Sequence, residues 1–270
     1  RASDICYMTA SRVCAIAVRK EDAPAFSGIY FYEPLVDWEK AEVEIKFEGR
    51  DSPPTSLAVF TGSLPAPTPS GQTTETKTLM MIGTRDGFVR FGTLDDFVYD
   101  ASKTLTLRPN GCTSTITCID YIAEAQSVVC GSMDGKVYLI PFTLLGNIVN
   151  GLEFYHDKRT VRVFRNHSRP VFSFQYLSES HSIVSAGLDE AILVWRIRDF
   201  KVISYIKTGV SSKQAIAMEN TGQVVSLDAT VQMRNGQYHQ GVHVWNLFGG
   251  TEMQVMELTG QVPIAPLVNG

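Results

Sequence analysis

The chain has 270 residues, 44% of them hydrophobic and 19% charged, with a formal net charge of −4. That balance is globular and not disordered, and the length suffices to bury a large core. The acidic surplus disfavours direct binding of nucleic acid, which calls for a basic surplus against phosphate. No run of about 18 apolar residues occurs, so no membrane insertion is expected.

In chain order, the first repeated unit is expected over 3–48, with strands near 12–18, 28–33 and 41–47 and an insertion at Lys20–Gly28. A second unit spans 55–108 and holds an Asp-Gly hairpin, Met80–Phe91, turning at Asp86. Asp-Gly between alternating strands is a strong hairpin signal, because glycine accepts the positive φ of a primed turn. Gly62–Thr78, rich in Pro, Ser and Thr, reads as a flexible loop. The third unit, 114–166, repeats the hairpin at Val128–Leu139 around Asp134, and the fourth, 170–208, at Ile183–Val194 around Asp189. Ile116–Tyr121 and Val171–Tyr176 precede these two hairpins as first strands, each beginning 18 residues before its aspartate. Thr104–Leu107, Val161–Phe164 and Val202–Tyr205 follow the hairpins as fourth strands. Thr143–Arg159 forms an insertion with an apolar stretch, Leu144–Val149, able to dock on a partner or fold back. A fifth unit, 213–257, carries an insertion at Ala229–Gln240 with a turn at Asn235-Gly236. Residues 258–270 are either the start of a further unit or a packed tail.

Four short strands, repeated with their turn aspartates 48 and 55 residues apart and lengthened by loops, resemble the blades of the WD-repeat β-propeller family. The fold class expected is therefore all-β, a WD-repeat propeller with about five blades visible, part of a larger, seven-bladed ring. The fourth blade matches best: His167, Ser185, Asp189 and Trp195 stand at the spacing of the family's tetrad. The resemblance implies a hydrogen-bonded chain there, from the tryptophan N–H to serine, serine to histidine, and histidine to aspartate. Elsewhere the pattern is degraded. Cys130 and Ile140 replace the serine and tryptophan around Asp134, Ile82 and Gly92 replace them around Asp86, and the fifth blade keeps Ser226 and Trp245.

By the same resemblance, the residue before each turn aspartate points outward on one face, which assigns Arg85, Met133 and Leu188 to partner binding. Thr117 and Phe172, second in their first strands, would line the top of a central channel. Met233, Arg234 and Tyr238 in the 229–240 insertion are good contact residues by type.

No P-loop, Gly-x-Ser-x-Gly or His-Glu-x-x-His motif occurs, and no cofactor or small-molecule substrate is expected. His239 and His243 are four apart but lie in a strand pattern, and a zinc pair at that spacing needs a helix, so no metal is expected. His167, Ser185 and Asp189 have the residue types of a catalytic triad, but the serine is committed to tryptophan, so no catalytic residue is assigned and the chain is read as non-enzymatic. The five cysteines form no CxxC pair, which argues against a disulfide framework or zinc knuckle and for reduced thiols in the cytoplasm. The start at Arg1, without methionine or signal peptide, is read as a piece of a longer chain.

The leading functional reading is a scaffold that binds other proteins of a multisubunit assembly, with a cytoskeletal or ciliary setting as one option. The alternative is a substrate receptor for a cullin-type ubiquitin ligase. Ile183–Arg198 resembles the adaptor-binding box of such receptors, with Arg198 matching and Arg196 reversing the expected charge. A lipid-binding propeller lacks its paired arginines: the corresponding run is Phe164-Arg165-Asn166-His167.

Overall fold

The computed structural model describes residues 2–8, 13–18, 28–32, 43–46, 53–68, 71–93, 104–141, 143–145, 153–155, 161–235 and 237–261. Among these the structure is β throughout, apart from two 3-10 turns at Pro109–Gly111 and Glu219–Thr221. The chain divides into two compact units, 1–166 and 167–270.

Unit 1 contains three four-stranded antiparallel sheets. The first is β1 (Ala2–Met8), β2 (Val13–Val18), β3 (Gly28–Tyr32) and β4 (Val43–Lys46), in that order. Its first strand escaped the sequence reading, and 19–27 of the Lys20–Gly28 insertion lie outside the described residues. The second sheet is β5 (Pro54–Thr68), β6 (Gly71–Thr84), β7 (Val89–Thr93) and β8 (Leu105–Leu107). The third is β9 (Ile116–Ile122), β10 (Ser127–Ser132) and β11 (Val137–Pro141), with a small hairpin of β12 (Thr143–Leu145) and β13 (Glu153–Tyr155), then β14 (Arg162–Phe164) as the fourth strand. In the Thr143–Arg159 insertion, Leu144 pairs with Phe154, and 146–152 lie outside the described residues.

The segment Gly62–Thr78, expected as a flexible loop, is instead a two-stranded ribbon. The β5–β6 ladder runs on without a break from Phe60–Leu79 through Gly62–Lys77 to Thr68–Gly71. Prolines 65 and 67 are compatible with it because a strand alternates with period two, so both missing N–H groups fall on the same, outer edge.

Sheets two and three stack through one apolar cluster. Met81, Phe91 and Leu107 of the second meet Ile116, Val128 and Ile140 of the third, all buried. Full burial of such a side chain contributes about 2 kcal/mol. The two sheets approach so closely that a Cβ on Gly83 would sit 2.6 Å from Ile116 Cγ2. The Thr55 hydroxyl donates to Ile116 O and lies 3.1 Å from Gly83 O, tying the innermost strands together.

Unit 2 holds two sheets. One is β15 (Val171–Leu177), β16 (Ser182–Gly187), β17 (Ala191–Arg196) and β18 (Lys201–Lys207). The other is β19 (Ser212–Met218), β20 (Gln223–Asp228), β21 (Gln232–Arg234), β22 (Gln237–Asn246) and β23 (Glu252–Gln261). Val184, Ile192 and Val194 pack against Ala215, Val224 and Trp245 between them. A polar link reinforces the stack. The Gln175 side-chain amide donates to Ala217 O at 3.0 Å and accepts from Ala217 N at 2.7 Å, as a neighbouring strand would.

The 229–240 insertion is built into this sheet and is no loop. β21 continues the path of β20 along one side of β22, while β23 pairs with β22 on the other side from Trp245 to Gln237. Asn235 turns the hairpin with φ 52°. The fourth strand runs to Gln261, past the limit of 257 expected, so Leu258–Gln261 belong to this sheet and not to a further unit; 262–270 lie outside the described residues.

Candidate partner-binding surfaces

The polar chain of the fourth sheet begins at His167, ahead of β15. His167 Nδ1 lies 2.9 Å and 3.0 Å from the two Asp189 oxygens, and His167 Nε2 lies 2.8 Å from Ser185 Oγ. Trp195 Nε1 donates to the same Ser185 Oγ at 2.6 Å, and Ser168 N–H donates to Asp189 Oδ2. Burial pushes the Asp189 carboxyl up, but the bonds from His167 and Ser168 outweigh it and hold the group below its ordinary value. Ser185 is fully buried and accepts from tryptophan, so it is a bridge between sheet and loop and not a nucleophile.

The turn aspartates of the other sheets behave differently. Thr84 Oγ1 donates to Asp86 Oδ1 at 2.6 Å, and Ser132 Oγ donates to Asp134 Oδ1. Asp134 also takes the Lys136 ammonium on Oδ2 and the Lys136 N–H on Oδ1. Burial pushes the Asp134 carboxyl up, but the bonds from Lys136 and Ser132 outweigh it, so the group sits below its ordinary value. In both turns a hydroxyl two residues earlier keeps the acid local. At the same place the fourth sheet has Gly187, whose missing Cβ leaves room for Asp189 Oδ1 at 3.0 Å and His167 Nδ1 at 3.2 Å.

The histidine position lies 18 residues before the strand serine, and the other sheets hold Cys112 and Thr208 there, ahead of Cys130 and Ser226. Cys112 and Cys130 are buried, and burial pushes the Cys130 thiol well up. The fifth sheet keeps the tryptophan bond, Trp245 Nε1 to Ser226 Oγ at 2.9 Å.

The expected contact residues fall in both units. In unit 1, Arg85 is exposed, its carbonyl accepting from Thr115 Oγ1, and Met133 is 48% exposed. Thr117 is half-buried. In unit 2, Leu188 does not stand out from the surface as expected: it is half-buried, its N–H donates to Pro170 O and its carbonyl accepts from Ser211 Oγ. Phe172 is half-buried too. Met233 (58%) and Tyr238 (38%) are exposed and cross-strand partners on the β21–β22 hairpin, with Arg234 exposed beside them. In the ligase-like run, Arg198 is exposed, while Arg196 is held by Asp199 through two bonds of 2.9 and 2.6 Å.

An exposed apolar strand was not foreseen. β23 exposes Met253, Val255, Met256 and Leu258, and Val231 and Phe248 are exposed in the segments that join its neighbouring strands. Glu252–Val255 alternates and signals a strand, but Val255-Met256 breaks the pattern and puts apolar side chains on both faces, and the spacing does not show that neither face is covered within the unit. An edge strand of this length with apolar side chains invites pairing with another chain.

Residues 102–140 and 158–196 match the family model for the WD domain, G-beta repeat. Periodic tryptophan protein 2 of Arabidopsis thaliana is 25% identical over 100 residues, covering 37% of this chain and 10% of that protein. A chain in the crystal structure of a mitotic checkpoint complex matches with a TM-score of 0.58 and 14% identity, over 90% of this chain and 60% of that one. That likeness is one of fold. The alignments thus span a tenth of the curated relative and three fifths of the solved chain.

Proposed function

We propose, on the premise that this chain belongs to the WD-repeat β-propeller family, that it is a non-catalytic scaffold holding other proteins in a multisubunit assembly. The observation that carries this reading is the exposed apolar surface of the fifth sheet, made by the β21–β22 hairpin and β23. Exposed methionine and tyrosine with arginine beside them are residue types enriched at protein interfaces. The one histidine–serine–aspartate constellation in the described residues is spent on structure, since both Ser185 contacts are internal. Buried thiols at Cys112 and Cys130 fit a reducing compartment, and the cytoplasm is the setting proposed.

Affinity purification of the full-length protein with mass spectrometry tests this. A stoichiometric set of partners that is lost when Met233 and Tyr238 are both changed to serine is the expected result. Recovery of the chain alone would overturn it. Recovery of a cullin adaptor, abolished by Arg198→Ala, would assign the receptor role in its place, and imaging of the tagged chain shows whether the assembly is ciliary or cytoskeletal.

A further inference from the structure

On one face of the sheet formed by β20, β21, β22 and β23 lies a cleft of about 320 Å³, near the lower end for ligand sites. Its walls carry Asp228, His239, His243 and Glu257, with Arg234 at one side and Val255 on the apolar wall. Gly241 creates the space: a Cβ there would meet Asp228 Oδ2 at 2.5 Å and His243 Nε2 at 2.8 Å.

Two polar atoms in this cleft are buried and unsatisfied, Asp228 Oδ1 and His239 Nδ1. His243 Nε2 lies 3.1 Å from the first and Glu257 Oε1 lies 3.2 Å from the second, close enough for attraction but without hydrogen-bond alignment. Such buried atoms are costly unless a partner arrives. A carboxylate oxygen only accepts, so the partner missing at Asp228 Oδ1 is a donor. Charge points the same way. Asp228 and Glu257 outnumber Arg234, which sits 3.9 Å from Glu257, and Glu252 adds a further carboxylate on His243 Nδ1 at 2.6 Å. A shared metal ion does not fit. His239 and His243 are four residues apart on one extended strand, roughly 13 Å at the rise of a β-strand, and no metal-binding group of three ligands occurs among the described residues.

We propose that this cleft receives a lysine or arginine side chain of a partner polypeptide, whose flanking apolar residues lie on the exposed Val255 at its rim. The proposal rests on the scaffold reading and names the chemistry that one of its surfaces recognises. Long cationic side chains suit the site because their stems pack on apolar walls while the head donates. Charge pairing then fixes register, and the apolar rim excludes water around it.

The test is a selection of pooled nonapeptides on the immobilised full chain, with arginine, lysine, glutamine or glutamate at the centre and randomised apolar flanks. Cationic centres are expected to be retained at least tenfold over glutamine and glutamate. Asp228→Asn and Glu257→Gln each reduce that preference at least fivefold, while Glu124→Gln, an exposed change in unit 1, leaves it intact. Spermidine, a cation without flanking residues, competes only weakly. Thermal melts identify any variant that has lost its fold, and Glu257→Gln, on the exposed strand, is the variant least able to do so. Equal retention of all four centres, an unchanged preference in a folded Glu257→Gln chain, or full competition by spermidine overturns the proposal. Such a failure, with purified partners still bound, leaves the scaffold reading standing; absence of partners defeats that reading itself.

Discussion

Ser185→Ala removes the hub of the polar chain in the fourth sheet. The serine is fully buried, accepts the Trp195 N–H at 2.6 Å and meets His167 Nε2 at 2.8 Å. Its loss strands two buried groups. Each unsatisfied buried group costs about 1–3 kcal/mol, so the pair costs about 3–4 kcal/mol. Ser226→Ala in the fifth sheet is the internal control. Ser226 is equally buried and bonds Trp245 N–H, but the histidine position of that sheet is Thr208, whose hydroxyl donates to Val210 O. One stranded group there costs about 1–2 kcal/mol. At about 3 °C per kcal/mol for a chain of this size, melting falls by about 10 °C for Ser185→Ala and about 4 °C for Ser226→Ala. Urea denaturation followed by tryptophan fluorescence measures both changes. Equal losses would refute the claim that Ser185 bridges two groups, because removing the tryptophan partner alone would then account for the whole effect.

Gln175→Leu removes two hydrogen bonds to the Ala217 backbone and leaves that N–H and carbonyl unpaired; a loss of about 2–3 kcal/mol in urea unfolding is expected. Glu219→Ala frees the N–H groups of Glu179 and Ser180, now held at 3.2 and 2.7 Å, so hydrogen exchange at these two amides accelerates while the Ser185 amide stays protected. Asp189 carries a carboxyl whose folded pKa lies below its unfolded value despite burial. The stability it contributes is present above about pH 4 and is lost as pH falls through the folded pKa. Denaturation midpoints of the wild type therefore drop between about pH 5 and about pH 2 by more than those of Asp189→Asn, and parallel curves would count against this role.

What was legible in the sequence is whatever a short stretch must encode for itself. Asp86, Asp134 and Asp189 mark their turns because a tight turn needs a residue that bonds its own backbone and, at Gly87 and Gly135, one that accepts φ near +80°. His167, Ser185, Asp189 and Trp195 were legible because no insertion disturbs their spacing. The ribbon over 62–78 was hidden, since prolines 65 and 67 signal a loop unless their shared edge is known to be unpaired. The cleft was hidden for a deeper reason. Asp228, His239, His243 and Glu257 become neighbours only through the register of β20, β22 and β23, with Gly241 opposite Glu257 and His243 opposite Val255, and one strand's spacing does not fix another's register.

The residue two places before the third-strand turn decides where each sheet spends its acid. Thr84 and Ser132 supply a hydroxyl, and the aspartate stays in its turn. Gly187 supplies nothing, and Asp189 reaches across to His167. In the fifth sheet the acid itself, Asp228, occupies this place, with Thr230 where the aspartate would stand. It faces His243 at 3.1 Å, and that imidazole stacks on Trp245 with ring centroids 5.7 Å apart. The acid–imidazole–tryptophan association thus persists in the fifth sheet, but its histidine comes from the third strand instead of the segment before the first. That displacement moves the polar pair from a sealed structural position, where both His167 nitrogens are bonded, to the wall of an open cleft with an acceptor unmet. The same residue types therefore lock one sheet and leave the next with capacity for an outside donor.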